Sequence, residues 1–150
     1  EPNGPASRWA LTTVPGDEVS AQIMGGTRYR TPEPGQRMLL VGDPASAPAM
    51  VEAVEAADAS CRIIVVLQSG DDSPPLPDRE YRLIRVPSED PAALADAVQE
   101  ALGRARPDWA WVALESAATK SIRRLVGSAG VPRRAIQAQA YWIRGRAMGT

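Results

Sequence analysis

At 150 residues, 44% of them apolar, the chain is long enough for one domain with a substantial core. Its 17 basic and 18 acidic residues leave a net charge of -1, so no overall field points to nucleic acid or an anionic membrane. Histidine is absent, which removes Ser-His triads, histidine bases and histidine-ligated metals. The single cysteine, Cys61, rules out a disulfide framework and a thiolate metal cage.

No apolar run approaches the roughly 20 residues of a membrane span, and Glu1-Pro-Asn-Gly4 is not the start of a signal peptide. The expected location is therefore cytoplasmic. In chain order, Arg8 to Leu11 reads as a short helix with Ser7 as its N-cap, and Pro15-Gly16-Asp17 as a turn. Glu18 to Met24 alternates, with Val19, Ala21 and Ile23 on one face, as a half-buried antiparallel strand does. One strand and one helical turn do not make a domain, so residues 1–30 are expected to be the edge of another. Gly25 to Gly35 is the connection onward.

From residue 37 strand-like and helix-like stretches alternate. Met38-Leu-Leu-Val41 is a short apolar run ending on Gly42-Asp43, a strand buried on both faces. A helix follows, capped by Ser46, with Pro48 in its first turn and Met50, Val51 and Val54 as its stripe. Cys61 to Leu67 is a second buried strand, and Gln68 to Pro77 a polar loop. Tyr81 to Val86 is a third strand. Asp90-Pro91 opens a helix striped by Leu94, Val98 and Leu102. Trp109 to Leu114 is a fourth strand, followed by a helix capped by Glu115 or Ser116. In that helix Ala118, Ile122, Leu125, Val126 and Ala129 face inward, and Gly130 stops it. Ala135 to Ile143 is a fifth strand.

This alternation predicts an α/β fold, a Rossmann-like parallel sheet in the order 3-2-1-4-5 with helices on both faces. Strands one and four then lie side by side where the strand order reverses. Ligand is expected between Gly42–Ser46 and Leu114–Ser116, with Gln68-Ser69 on the same rim. Free N–H groups at the strand-to-helix junctions would favour an anion. No G-x-G-x-x-G and no P-loop motif is present. Asp43 and Glu115 sit at the proposed cleft, where helix capping or ribose binding is a commoner role for them than acid/base work. Arg133, Arg134, Arg144 and Arg146 form a basic C-terminal cluster, which reads as a solvated face or a site for phosphate or an acidic partner.

Four stretches carry a resemblance. Leu40-Val-Gly-Asp-Pro-Ala-Ser-Ala-Pro-Ala49, Trp111-Val-Ala-Leu-Glu-Ser-Ala117 with Ile122-Arg-Arg-Leu125, Gln139-Ala-Tyr-Trp-Ile-Arg-Gly145, and Gly4-Pro-Ala-Ser-Arg-Trp-Ala10 with Pro15-Gly-Asp17 resemble, in the same order, motifs of the siderophore-interacting proteins. These are flavin-dependent ferric-siderophore reductases of the ferredoxin-reductase superfamily. The tail from Ala138 to Gly149 is similar to the domain fused ahead of mycobacterial ABC transporters that import mycobactins.

The resemblance implies an FAD-binding barrel whose C-terminal edge is residues 1–30, followed by an NAD(P)H-binding domain at 37–150. It implies FAD, held mainly by the upstream flavin domain, and NADPH or NADH as cofactors, a ferric siderophore as substrate, and transporter membrane domains as a downstream partner. The protein would then work at the inner face of the plasma membrane. Gly4, Pro5, Ala6 and Ser7 would meet the FAD pyrophosphate. Gly42, Asp43, Ser46, Ala113, Leu114, Glu115 and Ser116 would line the nicotinamide nucleotide cleft, and Tyr141 and Trp142 would stack near the flavin or serve as core aromatics.

Leu114 stands where the family usually has glycine, and a branched side chain there is expected to crowd the nicotinamide. Arg79, Arg123 and Arg124 are the candidates to hold a 2′-phosphate. A rival reading is a non-catalytic module that docks siderophore or transporter and has lost hydride transfer. Another is a free-standing α/β adaptor, which predicts that residues 1–30 leave no apolar face exposed.

Overall fold

The computed structural model describes residues 5–20, 29–69, 75–87 and 90–146. The chain divides into two compact units, residues 1–28 with 149–150, and residues 29–148. In the first unit, helix α1 spans Pro5–Thr12. It starts three residues before the expected Arg8, because the fixed φ of proline suits a first helical position. Ser7 is therefore inside the helix and not its cap. Thr12 Oγ1 donates back to the carbonyls of Arg8 and Trp9, and Gly16 turns the chain at φ 105°. Glu18–Ser20 show no strand; Gly4 and the rest of the expected strand fall outside the described residues.

The second unit holds β1 (Arg37–Gly42), α2 (Ala47–Ala56), β2 (Arg62–Gln68), β3 (Arg82–Val86), α3 (Pro91–Arg104), β4 (Trp109–Glu115), α4 (Ser116–Ser128) and β5 (Ile136–Trp142). All four strand pairings are parallel, in the order β3-β2-β1-β4-β5. The predicted sheet order is thus the observed one. β1 and β4 lie in register from Met38 against Trp109 to Gly42 against Ala113.

Alternate residues of each strand build two cores. On one face Leu39, Val41, Val66, Val112 and Leu114 pack against Leu94 and Val98 of α3 and Ile122 and Val126 of α4. On the other, Met38, Leu40, Val65, Trp109 and Trp111 meet Met50, Ala53 and Val54 of α2. Tyr29 closes that face with its ring edge on Trp109, 5.4 Å between centroids. Cys61 is a buried core residue, as its place at the start of a strand suggested.

The helix ends follow side-chain chemistry. Asp90 accepts from Ala92 N, Glu115 accepts from Ala117 N and Ala118 N, and Gly130 ends α4 at φ 87°. Ser46 precedes α2 but gives its helix no side-chain cap. Within α4, Thr119 is buried where the apolar stripe had placed nothing, and Ala129 is exposed. Thr119 Oγ1 bonds to both Leu114 N and Leu114 O, pinning the start of α4 onto the end of β4.

Candidate functional site

At the carboxyl rim of the sheet, where β1 and β4 run side by side, lies a cleft of about 570 Å³, within the range of small-molecule and cofactor sites. Asp43, Pro44 and Ala45 come from the β1–α2 turn, Gln68 from β2, and Pro91 and Leu94 from α3. Glu115, Ala117, Ala118 and Ser121 line it from β4 and α4, and Trp142 and Arg144 from the end of β5. Its position is the switch point that the strand order predicts.

The centre of the cleft is a hydrogen bond of 2.7 Å from Trp142 Nε1 to Asp43 Oδ2. It spans the sheet from the end of β1 to the end of β5. A register shift between Leu114 and Glu115 sets Glu115 opposite Trp142 and not opposite Tyr141. In step with the alternation of β5, where Ile136 and Ala138 face α4, Trp142 turns to the cleft, while Tyr141 goes to the α2 face and packs edge-on against Trp111, 6.0 Å between centroids. The Arg144 guanidinium lies over the Trp142 ring, 5.6 Å from its centroid.

Asp43 is 5% exposed and fully engaged. Its Oδ1 accepts from Ser46 N, while Asp43 N donates to Ser46 Oγ. The turn therefore consumes the main-chain amides of residues 43 and 46 that were expected to meet an anion. The same holds at α4, where the carboxylate of Glu115 already occupies the first amides. The N-termini of α3 and α4 and the β1–α2 turn are each satisfied by an acidic side chain, which lowers their appetite for phosphate.

Three predicted site residues, Asp43, Glu115 and Trp142, converge on the cleft. Ser46, Ala113 and Leu114 have side chains with 0% exposure and face the interior. Leu114 lies in the core with Ile122 and Val126, so it does not crowd the cleft. Ser116 and Tyr141 do not line it. Gly42 serves packing: a Cβ there would collide with Met50 Sδ and Ser46 Oγ. Gly42→Ala is expected to cost about 1–3 kcal/mol, read as a lower denaturation midpoint, because both neighbours are fully buried. Arg79 is removed from the phosphate candidates, since it donates to the carbonyls of Val54, Ala57 and Asp58 at the far end of α2. Arg144, Ser121 and the first turns of α3 and α4 line the cleft without having been singled out for it.

Partial desolvation pushes Glu115 up, but the N–H groups of Ala118, Ala117 and Arg144 and the charge of Arg144 outweigh it, holding its pKa below the ordinary 4.5. A depressed carboxylate stabilises the fold above its unfolded pKa and loses that contribution as pH falls through its folded one. Glu115→Gln is therefore expected to lower stability by about 0.5–1 kcal/mol at neutral pH. The gap to the wild type should close as denaturation is repeated below pH 4.5.

Among the described residues no cluster of three or more His, Cys, Asp or Glu could hold a metal ion, and no helix is long and apolar enough to cross a membrane.

The sheet order and the cleft at its reversal point define a Rossmann-like α/β domain. Two solved structures share this fold. The siderophore-interacting protein SipS from Aeromonas hydrophila matches 98% of this chain and 60% of its own at 22% identity and a TM-score of 0.69. The siderophore-interacting protein from Acinetobacter baumannii matches 99% of this chain and 62% of its own at 16% identity and a TM-score of 0.71. The siderophore-interacting protein family matches residues 35–145, and this chain belongs to it. It is 39% identical over 158 residues to the mycobactin import ATP-binding/permease protein IrtA of Mycobacterium tuberculosis, and 37% over 157 residues to that of Mycolicibacterium smegmatis. The match takes in the whole of this chain but 18% of either relative.

Proposed function

We propose that this chain is the NAD(P)H-binding half of a flavin-dependent ferric-siderophore reductase borne by a mycobactin-importing permease, acting on the cytoplasmic side of the membrane. The carrying observation is the cleft at the β1/β4 switch point with Asp43, Glu115 and Trp142 converging on it, in a chain of this family. In the bound state NAD(P)H would supply a hydride to FAD, from which electrons pass to the ferric siderophore, the substrate.

The residues fit the ribose and nicotinamide part of the cofactor. The carboxylate of Glu115 keeps acceptor capacity for hydroxyl or amide hydrogens, Trp142 supplies an apolar plane, and Arg144 is the cation that lines the cleft. At α4 the helix amides contribute little, because Glu115 holds the first of them.

Residues 1–30 are assigned to the C-terminal edge of the FAD barrel, and residues 37–150 to the NAD(P)H-binding domain. Trp9, Leu11, Val14 and Val19 are 43–72% exposed, apolar surface that a flavin domain would cover.

The second reading, a docking module without hydride transfer, is favoured by Glu115 on the first amides of α4. Leu114 no longer supports it. The test is to add NADPH, then NADH, to the flavin-loaded parent protein without oxygen and follow flavin absorbance. Bleaching with either is expected. No bleaching with either, while siderophore binding persists, would leave the docking module.

A further inference from the structure

Of the two edges of the sheet, one is guarded and one is open. β3 is five residues long and carries Arg82 and Arg85, the kind of charge with which natural sheets discourage a further strand. β5, at the other edge, reads Ile136-Gln-Ala-Gln-Ala-Tyr-Trp142, with no charge, proline or glycine in seven residues. Among the described residues it pairs with β4 and with no strand on its outer side, which leaves a row of main-chain N–H and C=O groups facing outward. Ile136 and Ala138 lie on the α4 face and Ala140 follows them in the alternation, so beyond Ile136 only methyl groups stand along that face as far as Ala140.

Beside this edge runs a groove of about 510 Å³ between α4 and the start of β5. Lys120, Arg123 and Arg124, three and four residues apart on one side of α4, line it with Arg133, over Val131 and Ile136. All four cations are exposed, and the ion pairs among the described residues use Arg37, Arg82 and Arg104 and none of them. From Ser116 to Arg146 there are seven basic side chains and no acidic one, so this part of the chain supplies no counter-charge of its own.

We infer that β5 takes up an extended acidic segment of a partner protein as a sixth strand. The open edge calls for another main chain, because a strand matches its row of donors and acceptors. The groove calls for acidic side chains. In a strand laid about 4.8 Å outside β5, every second residue turns to the α4 side, where these cations stand. A second copy of this chain does not meet both demands: antiparallel pairing of two β5 edges would bring Arg133 and Arg134 towards Arg144 and Arg146. A nucleic acid would satisfy the groove and leave the ladder unmade.

The test is fluorescence anisotropy of a labelled peptide of about seven residues, glutamate alternating with valine, titrated with this protein at low salt. Saturable binding is expected, about 10-fold tighter than for a peptide of the same composition with its glutamates in one block, or with lysine in place of glutamate. K120E, R123E and R124E together should weaken it by about the same factor, whereas R62E, away from the groove, should leave it unchanged. N-methylation of the peptide amides at one set of alternate positions should abolish binding and at the other set should not, because only one set faces β5. If the triple variant does not fold, the two N-methylated peptides decide the matter on the wild type. No saturable binding, equal effects of the two N-methylations, undiminished binding by the folded triple variant, tighter binding of duplex DNA, or self-association that excludes the peptide would overturn the inference. Flavin bleaching in the parent does not involve this edge, so either proposal can fail without the other.

Discussion

Leu114→Gly is expected to destabilise the domain by about 3–6 kcal/mol without increasing hydride transfer. The side chain is wholly buried between β4 and α4, in contact with the cluster that contains Ile122 and Val126. Deleting a buried leucine side chain costs about 2–5 kcal/mol in lost burial and residual cavity, and glycine within a strand adds about 0.5–1 kcal/mol. The substitution therefore damages the core, and Leu114, with no exposed surface, is not among the residues that line the cleft. Chemical denaturation should show a lower midpoint with an unchanged m-value, and flavin bleaching by NADPH in the parent should be no faster. A stable variant with faster bleaching would show that Leu114 reaches the cleft after all.

Asp43→Ala is expected to lower stability by about 1–3 kcal/mol, because it takes the acceptor from the part-buried Trp142 Nε1 and one of the two acceptors of Ser46 N, whose other is the carbonyl of residue 43. Trp142→Phe should cost less, since it leaves one carboxylate oxygen short of one donor. The double variant should recover part of the sum, giving a coupling of about 1.5–3 kcal/mol, the worth of a hydrogen bond to a charged acceptor. Denaturation of the four proteins measures it. Additive losses would mean that the two side chains do not bond in solution. If Trp142 forms a wall of the nicotinamide site, Trp142→Phe should also raise the KM for NADPH in the parent more than it lowers kcat.

The exposed apolar side chains Trp9, Leu11, Val14 and Val19 matter to how variants are measured. Surface of this kind promotes association, so stability comparisons are best made at low protein concentration.

Much of this architecture was legible from local patterns. Continuous apolar runs such as Ile63-Ile-Val-Val-Leu67 can be buried only on both faces, which dictates a parallel sheet with helices either side. Right-handed crossovers then leave few strand orders, and the expected one is present. Capping chemistry is local in part: Asp90 could be placed from spacing and Glu115 as one of two candidates, whereas Ser46 caps no helix and Ser7 lies inside one.

The content of the cleft was decided by contacts between residues far apart in the chain. Asp43 and Trp142 are 99 residues apart, and the strand order that sets β4 between β1 and β5 brings the indole to the carboxylate. Leu114 was misread because a strand's end looks like a rim from the sequence, while Thr119, five residues on, folds back and seals it into the core. The expected free amides were likewise lost to nearby acidic side chains. Periodicity and turn chemistry thus determined the sheet, its order and the place of the cleft. Tertiary packing decided which side chains face it, because its lining comes from the ends of separate strands and helices that meet only in the folded sheet.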